Sequence, residues 1–198
     1  MKPAPVEDDS LPLDGLGARL REIRTAREMT LSELSLKSQV SVAMLSHIER
    51  GQSSPSLRTL ERLRIALDVP LASFFALEAP PPENEDDVVV RAGRRSRLNF
   101  DKIGLVKELL SPPGHSDLEV LMLVIAPGGG SGSDAWTHTG EKAGLVLEGR
   151  FELTVGERVY RLEQGDSFRF DSSQPHWFRN LADGQSRVVW VIKSASPG

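Results

Sequence analysis

Thr30 to Phe75 reads TLSELSLKSQVSVAMLSHIERGQSSPSLRTLERLRIALDVPLASFF, and its apolar spacing and caps are those of short helices in close succession. Thr30 followed by Glu33 forms a capping box, which opens a helix carrying Leu31 and Leu34. Ser41 can accept from free backbone amides at the start of the next helix. Leu45 and Ile48 face its core side, and Gly51 supplies a residue past its end that tolerates a left-handed conformation. Ser56 and Pro70 open two more helices, with Leu57, Leu60, Leu63 and Leu67 on the first apolar face and Leu71, Phe74 and Phe75 on the second. Upstream, Leu16, Leu20 and Ile23 recur at helical spacing, so residues 15–77 are predicted to form an all-α unit of five helices.

The whole chain has 198 residues, which admits one large domain or two modest ones, and two fit better. A hydrophobic fraction of 39% beside a charged fraction of 26% is that of a globular protein with a packed core. The absence of cysteine excludes a disulfide framework, a thiolate metal site and a cysteine nucleophile; any metal chemistry would rest on His and carboxylates. Residues 1–14, MKPAPVEDDSLPLD, are acidic, contain proline and lack the apolar segment of a signal peptide, so they are expected to be a disordered tail. VLMLVIAP, the most apolar run, falls well short of the roughly 18 residues a spanning helix requires. The expectation is a cytoplasmic protein without a membrane partner. The net charge of −4 hides an asymmetry, because residues 15–77 carry nine Lys/Arg against six acids while both flanks are acidic. Only that block could attract phosphate.

Residues 78–87, EAPPPENEDD, place three prolines before an acidic stretch that can neither propagate a helix nor bury itself. They are read as an inter-domain linker, with a surface loop inside one domain as the alternative. Beyond them, in residues 88–198, helical spacing gives way to β-rich runs: VVVR, GLVKELL, DLEVLMLVIA, AGLVLEGRFELTVGERVYRL, DSFRFD, HWFRN and RVVWVIK. Glu148-Gly149 and Gly156-Glu157 are read as hairpin points, and Phe151, Leu153 and Val155 mark one buried face. Trp177 and Trp190 are read as core or interface aromatics. Many short strands at this spacing imply an antiparallel sandwich or barrel.

On these residues, Leu34, Ser41, Leu45, Ile48-Glu49-Arg50-Gly51, Pro55-Ser56 and Leu60, the first unit resembles the XRE family of helix-turn-helix domains, which includes phage repressors. The resemblance implies a λ-repressor-like domain whose third helix, Ser41 to Arg50, enters the major groove, about 12 Å wide and able to admit one helix. With Leu45 and Ile48 inward, Val42, Ala43, Ser46 and His47 lie on the exposed face, and the family places Val42, Ala43 and His47 at base-reading positions. Val42 and Ala43 can touch thymine methyl groups and His47 a purine edge. No Arg or Asn there offers a bidentate pair, so part of the specificity falls to DNA shape. Arg50, Lys37, Arg19 and Arg27 are candidate phosphate ligands, Ser41 both cap and phosphate ligand, and Glu49 an internal ion-pair partner. The plain alternative is a structural helix whose polar face is only solvated.

The segment WTHTGEKAGLVLEGRFELTVGERVYRLEQGDSFRFDSSQPHWFRN resembles the paired motifs of cupin barrels, with His138, Gly149, Gly165-Asp166, His176 and Asn180 at matching places. The resemblance implies an all-β jelly-roll barrel, and two of its metal-ligand positions depart from the pattern. Trp136 stands for the first His and Lys142 for the Glu, a cation where a cation site wants an anion. Glu141 is one residue short and points to the other face of a strand. His138 and His176 alone are too few for tight binding of zinc or iron, so neither a metal nor another cofactor is expected. Trp136, His138, Lys142, His176 and Phe178 would instead line a pocket for a small anionic or acceptor-rich effector, or simply fill a narrow barrel.

Together the two halves resemble the XRE-cupin transcription regulators, some of which respond to polyamines or other metabolites; Lys142 disfavours a cationic polyamine here. The resemblance implies a repressor that acts as a homodimer on double-stranded DNA, with recognition helices one turn apart on a pseudo-palindromic operator. Two alternatives stand beside it. Certain epoxidases combine such a helical domain with an iron-bearing cupin, but their His-Glu-His set is broken here by Lys142, and no catalytic residue is assigned. The barrel could also serve only to dimerise.

Overall fold

The computed structural model describes residues 15–75, 88–112, 116–132 and 135–194. The predicted tail, 1–14, and linker, 78–87, lie outside the described residues. Four α-helices come first: α1 (Leu16–Ala26), α2 (Leu31–Ser38), α3 (Val42–Glu49) and α4 (Leu57–Leu67). The caps are those the sequence announces. Thr30 and Glu33 close a reciprocal capping box on α2, and the Ser41 and Ser56 side chains accept from Met44 N and Thr59 N at the starts of α3 and α4. Gly51, with φ 68°, ends α3 and donates to the Ile48 carbonyl at 2.9 Å. Gly17 lets α1 lie directly on α3, because a Cβ there would stand 2.2 Å from the Ile48 carbonyl oxygen.

The fifth predicted helix is not an α-helix among the described residues. Leu71–Phe74 form one 3₁₀ turn after Pro70, closed by Ser73 N to Pro70 O and Phe75 N to Ala72 O. Runs of that geometry stay short, and Phe75 is already extended.

Nine strands follow among the described residues: β1 (Arg97–Phe100), β2 (Leu105–Leu109), β3 (Leu118–Ile125), β4 (Glu141–Glu148), β5 (Arg150–Val155), β6 (Arg158–Glu163), β7 (Ser167–Asp171), β8 (His176–Asn180) and β9 (Ser186–Lys193). They form two antiparallel sheets, ordered β1-β2-β3-β9-β4-β7 and β6-β5-β8. Two sequence expectations need correction. VVVR is no strand: Val88 and Val89 are exposed, and the first strand is RLNF, where Leu98 and Phe100 are buried in alternation. Gly156 does sit in the β5–β6 hairpin, but Gly149 does not join paired strands. It carries the chain from β4 in the larger sheet to β5 in the smaller, at a corner so close that a Cβ would meet Ser186 Oγ at 2.3 Å.

Between the sheets, Phe151 packs against Phe168, Phe178 and Trp190, with ring centroids 5.4 to 6.3 Å apart. Trp190 is therefore core, whereas Trp177 faces outward and is partly exposed. The buried apolar residues of the helices and of the sheets form one continuous cluster. Glu119 of β3 ties the halves further, accepting from Leu71 N at 3.0 Å and Ala72 N at 2.9 Å at the start of the 3₁₀ turn.

Candidate functional site

On α3, Leu45 and Ile48 turn inward and leave Ser41, Val42, Ala43, Met44, His47 and Arg50 exposed. Ser46 is half-buried and accepts from the Arg50 guanidinium, which also donates to Gln52 at 3.2 Å. Met44, which the sequence reading passed over, stands on the exposed face with a thioether near Ser53. The helix is held at its inner side by a two-pronged pair: Arg24 of α1 donates to both Glu49 oxygens, at 2.6 and 2.8 Å. Glu49 thus fixes α3 to α1 and is turned away from the reading face.

The four basic candidates for phosphate contacts are all exposed, but they are not equivalent. Arg19 pairs with Glu22 at 3.1 Å and donates to the Ser73 carbonyl, and Arg27 donates to the Asp68 carbonyl at 2.8 Å. Both stitch α1 to the far end of the helical unit. Lys37 stands in the last turn of α2 and Arg50 at the end of α3.

At the barrel, all five predicted pocket residues come together. Trp136, His138, Lys142, His176 and Phe178 line one pocket with about 30 Å³ of free space, and Leu57 and Glu61 of α4 and Lys107 of β2 share its lining. Strand parity explains the convergence, since Lys142 shares its face with buried Val146, and His176 with buried Phe178 and Asn180. His176 Nδ1 donates to the Gln174 carbonyl at 2.8 Å, so Nε2 carries the lone pair and accepts from Lys142 Nζ at 2.7 Å. His138 Nδ1 accepts from Arg64 Nη2 at 3.1 Å. Asn180 is structural: its amide donates to the Ile125, Ala126 and Gly184 carbonyls and so holds the turn into β9.

The electrostatics are those of a crowded cationic site. Burial, reinforced by Lys142, pushes the His138 imidazole down to about 3 and that of His176 to about 4, so both are neutral at pH 7. Burial, with Lys107 and Arg64 adding to it, brings Lys142 down to about 7 against the opposing pull of Glu61. Burial would raise the Glu61 carboxyl, but Arg64, Lys107, His138 and Lys142 outweigh it and hold it at about 2.

These residues do not suit a metal. No group of three or more His and carboxylate side chains that could hold an ion occurs among the described residues. Lys142 takes up the His176 lone pair, and Glu141 lies on the opposite strand face in a pair with Arg169 at 2.6 Å.

Sequence reasoning missed Glu61, Arg64, Lys107 and Glu119. Two left a readable trace: Lys107 falls between Leu105 and Leu109, and Glu119 precedes Leu121, Leu123 and Ile125, at the inward parity of their strands. Glu61 and Arg64 left none, because an acid–base pair three residues apart on a helix reads as a solvated face.

Residues 20–74 match the helix-turn-helix family and residues 121–192 the cupin domain family. With an XRE-type helix-turn-helix unit followed by a cupin domain, the chain is a DNA-binding transcriptional regulator of the helix-turn-helix type. It is similar, at 28% identity over 174 residues, to the HTH-type transcriptional regulator PuuR of Escherichia coli strain K12, covering 87% of this chain and 91% of PuuR. To the HTH-type transcriptional regulator SutR of the same organism it is 27% identical over 165 residues, 83% of this chain and 86% of SutR. A solved HTH_3 family transcriptional regulator from Vibrio cholerae shares the fold across both halves, with a TM-score of 0.71 and 23% identity over 93% of this chain and 98% of its own.

Proposed function

We propose that this regulator is a cytoplasmic repressor that binds a pseudo-palindromic operator as a homodimer, and that its barrel binds a small anionic or acceptor-rich effector without a metal and without catalysing a reaction. Residues 15–77 would read DNA and residues 88–198 would sense and dimerise, joined through residues 78–87. The observation that carries the DNA half is the outward face of α3, where Val42, Ala43 and His47 stand exposed between Lys37 and Arg50 on a helix pinned from behind by Arg24 and Glu49. Direct readout by such short side chains is modest, so operator shape carries part of the specificity. Effector binding would act by differential affinity, favouring one spacing of the two recognition helices over another.

Support for the effector half comes from the barrel's donors. Lys107, Lys142 and Trp136 Nε1 surround one cavity, and the Trp136 N–H is buried with no acceptor among the described residues. An orphaned buried donor is costly, and a ligand oxygen would satisfy it. No helix among the described residues is long and apolar enough to cross a membrane. The small free volume favours a second reading, in which the barrel only dimerises.

Selection of bound sequences from randomised duplexes tests the first half. Recovery of an inverted repeat with half-site centres about 10 base pairs apart is expected, and recovery of no preferred motif overturns it. A thermal-shift screen of small metabolites tests the second, because a ligand that binds only the folded state raises its apparent stability.

A further inference from the structure

The barrel pocket is closed by the DNA-binding half of the same chain. Leu57 and Glu61 of α4 form its roof, and Glu61 Oε2 is held by Arg64 Nε at 2.6 Å and lies 3.8 Å from His138 Nδ1. Nothing in the geometry of α4 requires an acid there. Leu57, Leu60, Leu63 and Leu67 already build the helix core, and a fully buried carboxylate is unfavourable unless cations face it. Those cations come mostly from the other half of the chain: Lys107 from β2 and Lys142 from β4, with Arg64 from α4 itself. Arg64, Lys107 and Lys142 therefore stand near Glu61, and the second acid, Glu119, is engaged by the backbone amides of Leu71 and Ala72.

About 30 Å³ of free space inside holds one water and no metabolite. A second opening of about 400 Å³ lies outside, between α4 and the rim of the barrel, lined by Arg64, Ile65, Asp68, Val69, Thr137 and His138 among others. His138 lines both spaces and Arg64 bonds to it, so that pair is the wall between cleft and cavity.

Building on the reading of the barrel as the effector site, we propose that Glu61 is an internal stand-in for the effector's carboxylate. A small carboxylate enters from the Arg64–His138 cleft, competes with Glu61 for the positive field of Lys142 and Lys107, which line the same pocket, and so lifts α4 off the barrel. The 3₁₀ turn clamped by Glu119 remains as the pivot. α4 carries the reading helix with it, because Arg62 of α4 donates to Gln39, in the turn that opens α3, at 2.8 Å. Effector binding and the docked position of the DNA-binding half are then mutually exclusive, which couples pocket to operator without a relay through the sheets.

The test uses the full chain with acetate, succinate and citrate as probes and an aliphatic diamine as the cationic control. Affinities are measured by calorimetry for the wild type, Glu61→Gln and Lys142→Met. The chain has no cysteine, so Leu36→Cys with Gln185→Cys gives one spin-label pair across the two halves; dilution with unlabelled chain isolates the intramolecular distance. An internal competitor acts at a high effective concentration, so Glu61→Gln is expected to tighten carboxylate binding about tenfold or more. Lys142→Met is expected to abolish it, and the bound wild type to show a longer label distance. If a carboxylate binds through Lys142 but Glu61→Gln leaves its affinity within twofold and the distance is unchanged, displacement is overturned while the effector reading stands. If no carboxylate binds either the wild type or Glu61→Gln, or the diamine binds instead, the anionic-effector reading itself falls and takes this proposal with it.

Discussion

Lys142 Nζ lies 2.7 Å from His176 Nε2, so the lone pair that a metal ion would need is spent on an N–H donor supplied by the chain itself. That single pair leaves His176 no lone pair to offer a metal ion. It also places a cation that can be removed by one substitution.

Lys142→Glu frees His176 and adds a carboxylate beside His138, restoring two imidazoles and an acid. The expected outcome is about one equivalent of zinc in the purified variant by elemental analysis, against a small fraction of that in the wild type. Stoichiometric zinc or iron in the wild type would contradict the site as drawn.

On the reading helix, His47→Ala and Arg50→Ala should fail in different ways. Loss of a base-edge contact changes preference at one position by about 1 to 3 kcal/mol, whereas loss of a phosphate contact weakens all sequences alike and lowers the salt slope by about 1. Fluorescence anisotropy on matched and mutated operators across a salt series separates the two. Ala substitution at Arg19 or Arg27 is expected to cost stability as well, because each bonds a backbone carbonyl across the helical unit.

Glu49→Ala leaves the Arg24 guanidinium beside α3 without its two-pronged partner, in a position where both side chains are largely buried. A loss of about 2 to 3 kcal/mol is expected, below that of a wholly enclosed pair because Arg24 keeps some solvent. Thermal melting reads it, and Arg24→Ala should cost a similar amount while the double variant costs less than the sum.

Acid should undermine the barrel before the carboxylates titrate. His138 and His176 are depressed from about 6.5 to about 3 and about 4, so between those values the unfolded chain binds protons that the folded chain refuses. Their contribution is complete above pH 6.5 and is lost as pH falls through the window below it. Glu61, depressed from 4.5 to about 2, adds its own loss only below pH 4.5. The melting temperature is expected to fall from pH 6.5 to 5, and a His138→Gln, His176→Gln double variant to flatten that part of the curve.

Legibility in the sequence followed the range of the interactions. Thr30 with Glu33, Ser41 with Met44 and Gly51 with Ile48 are contacts within one turn, so the caps they form are legible in the residue order alone. Phe151, Leu153 and Val155 announced their buried face through parity alone. Val88 to Val90 misled because β-branched composition is not pairing: no partner strand lies beside them, whereas Leu98 and Phe100 find one in β2. Gly149 has the composition of a hairpin turn, and only the neighbouring sheet makes it a corner.

The amino-acid order alone was enough for a helical unit and a strand-built second unit, because caps and parity act over a few residues. Three-dimensional packing alone decided that α4 roofs the barrel, that Glu61 lines one pocket with Lys107 and Lys142, and that Glu119 holds the 3₁₀ turn. Those partners lie 46 or more positions apart in the chain, and charges so separated are matched by how surfaces dock, which no local pattern encodes.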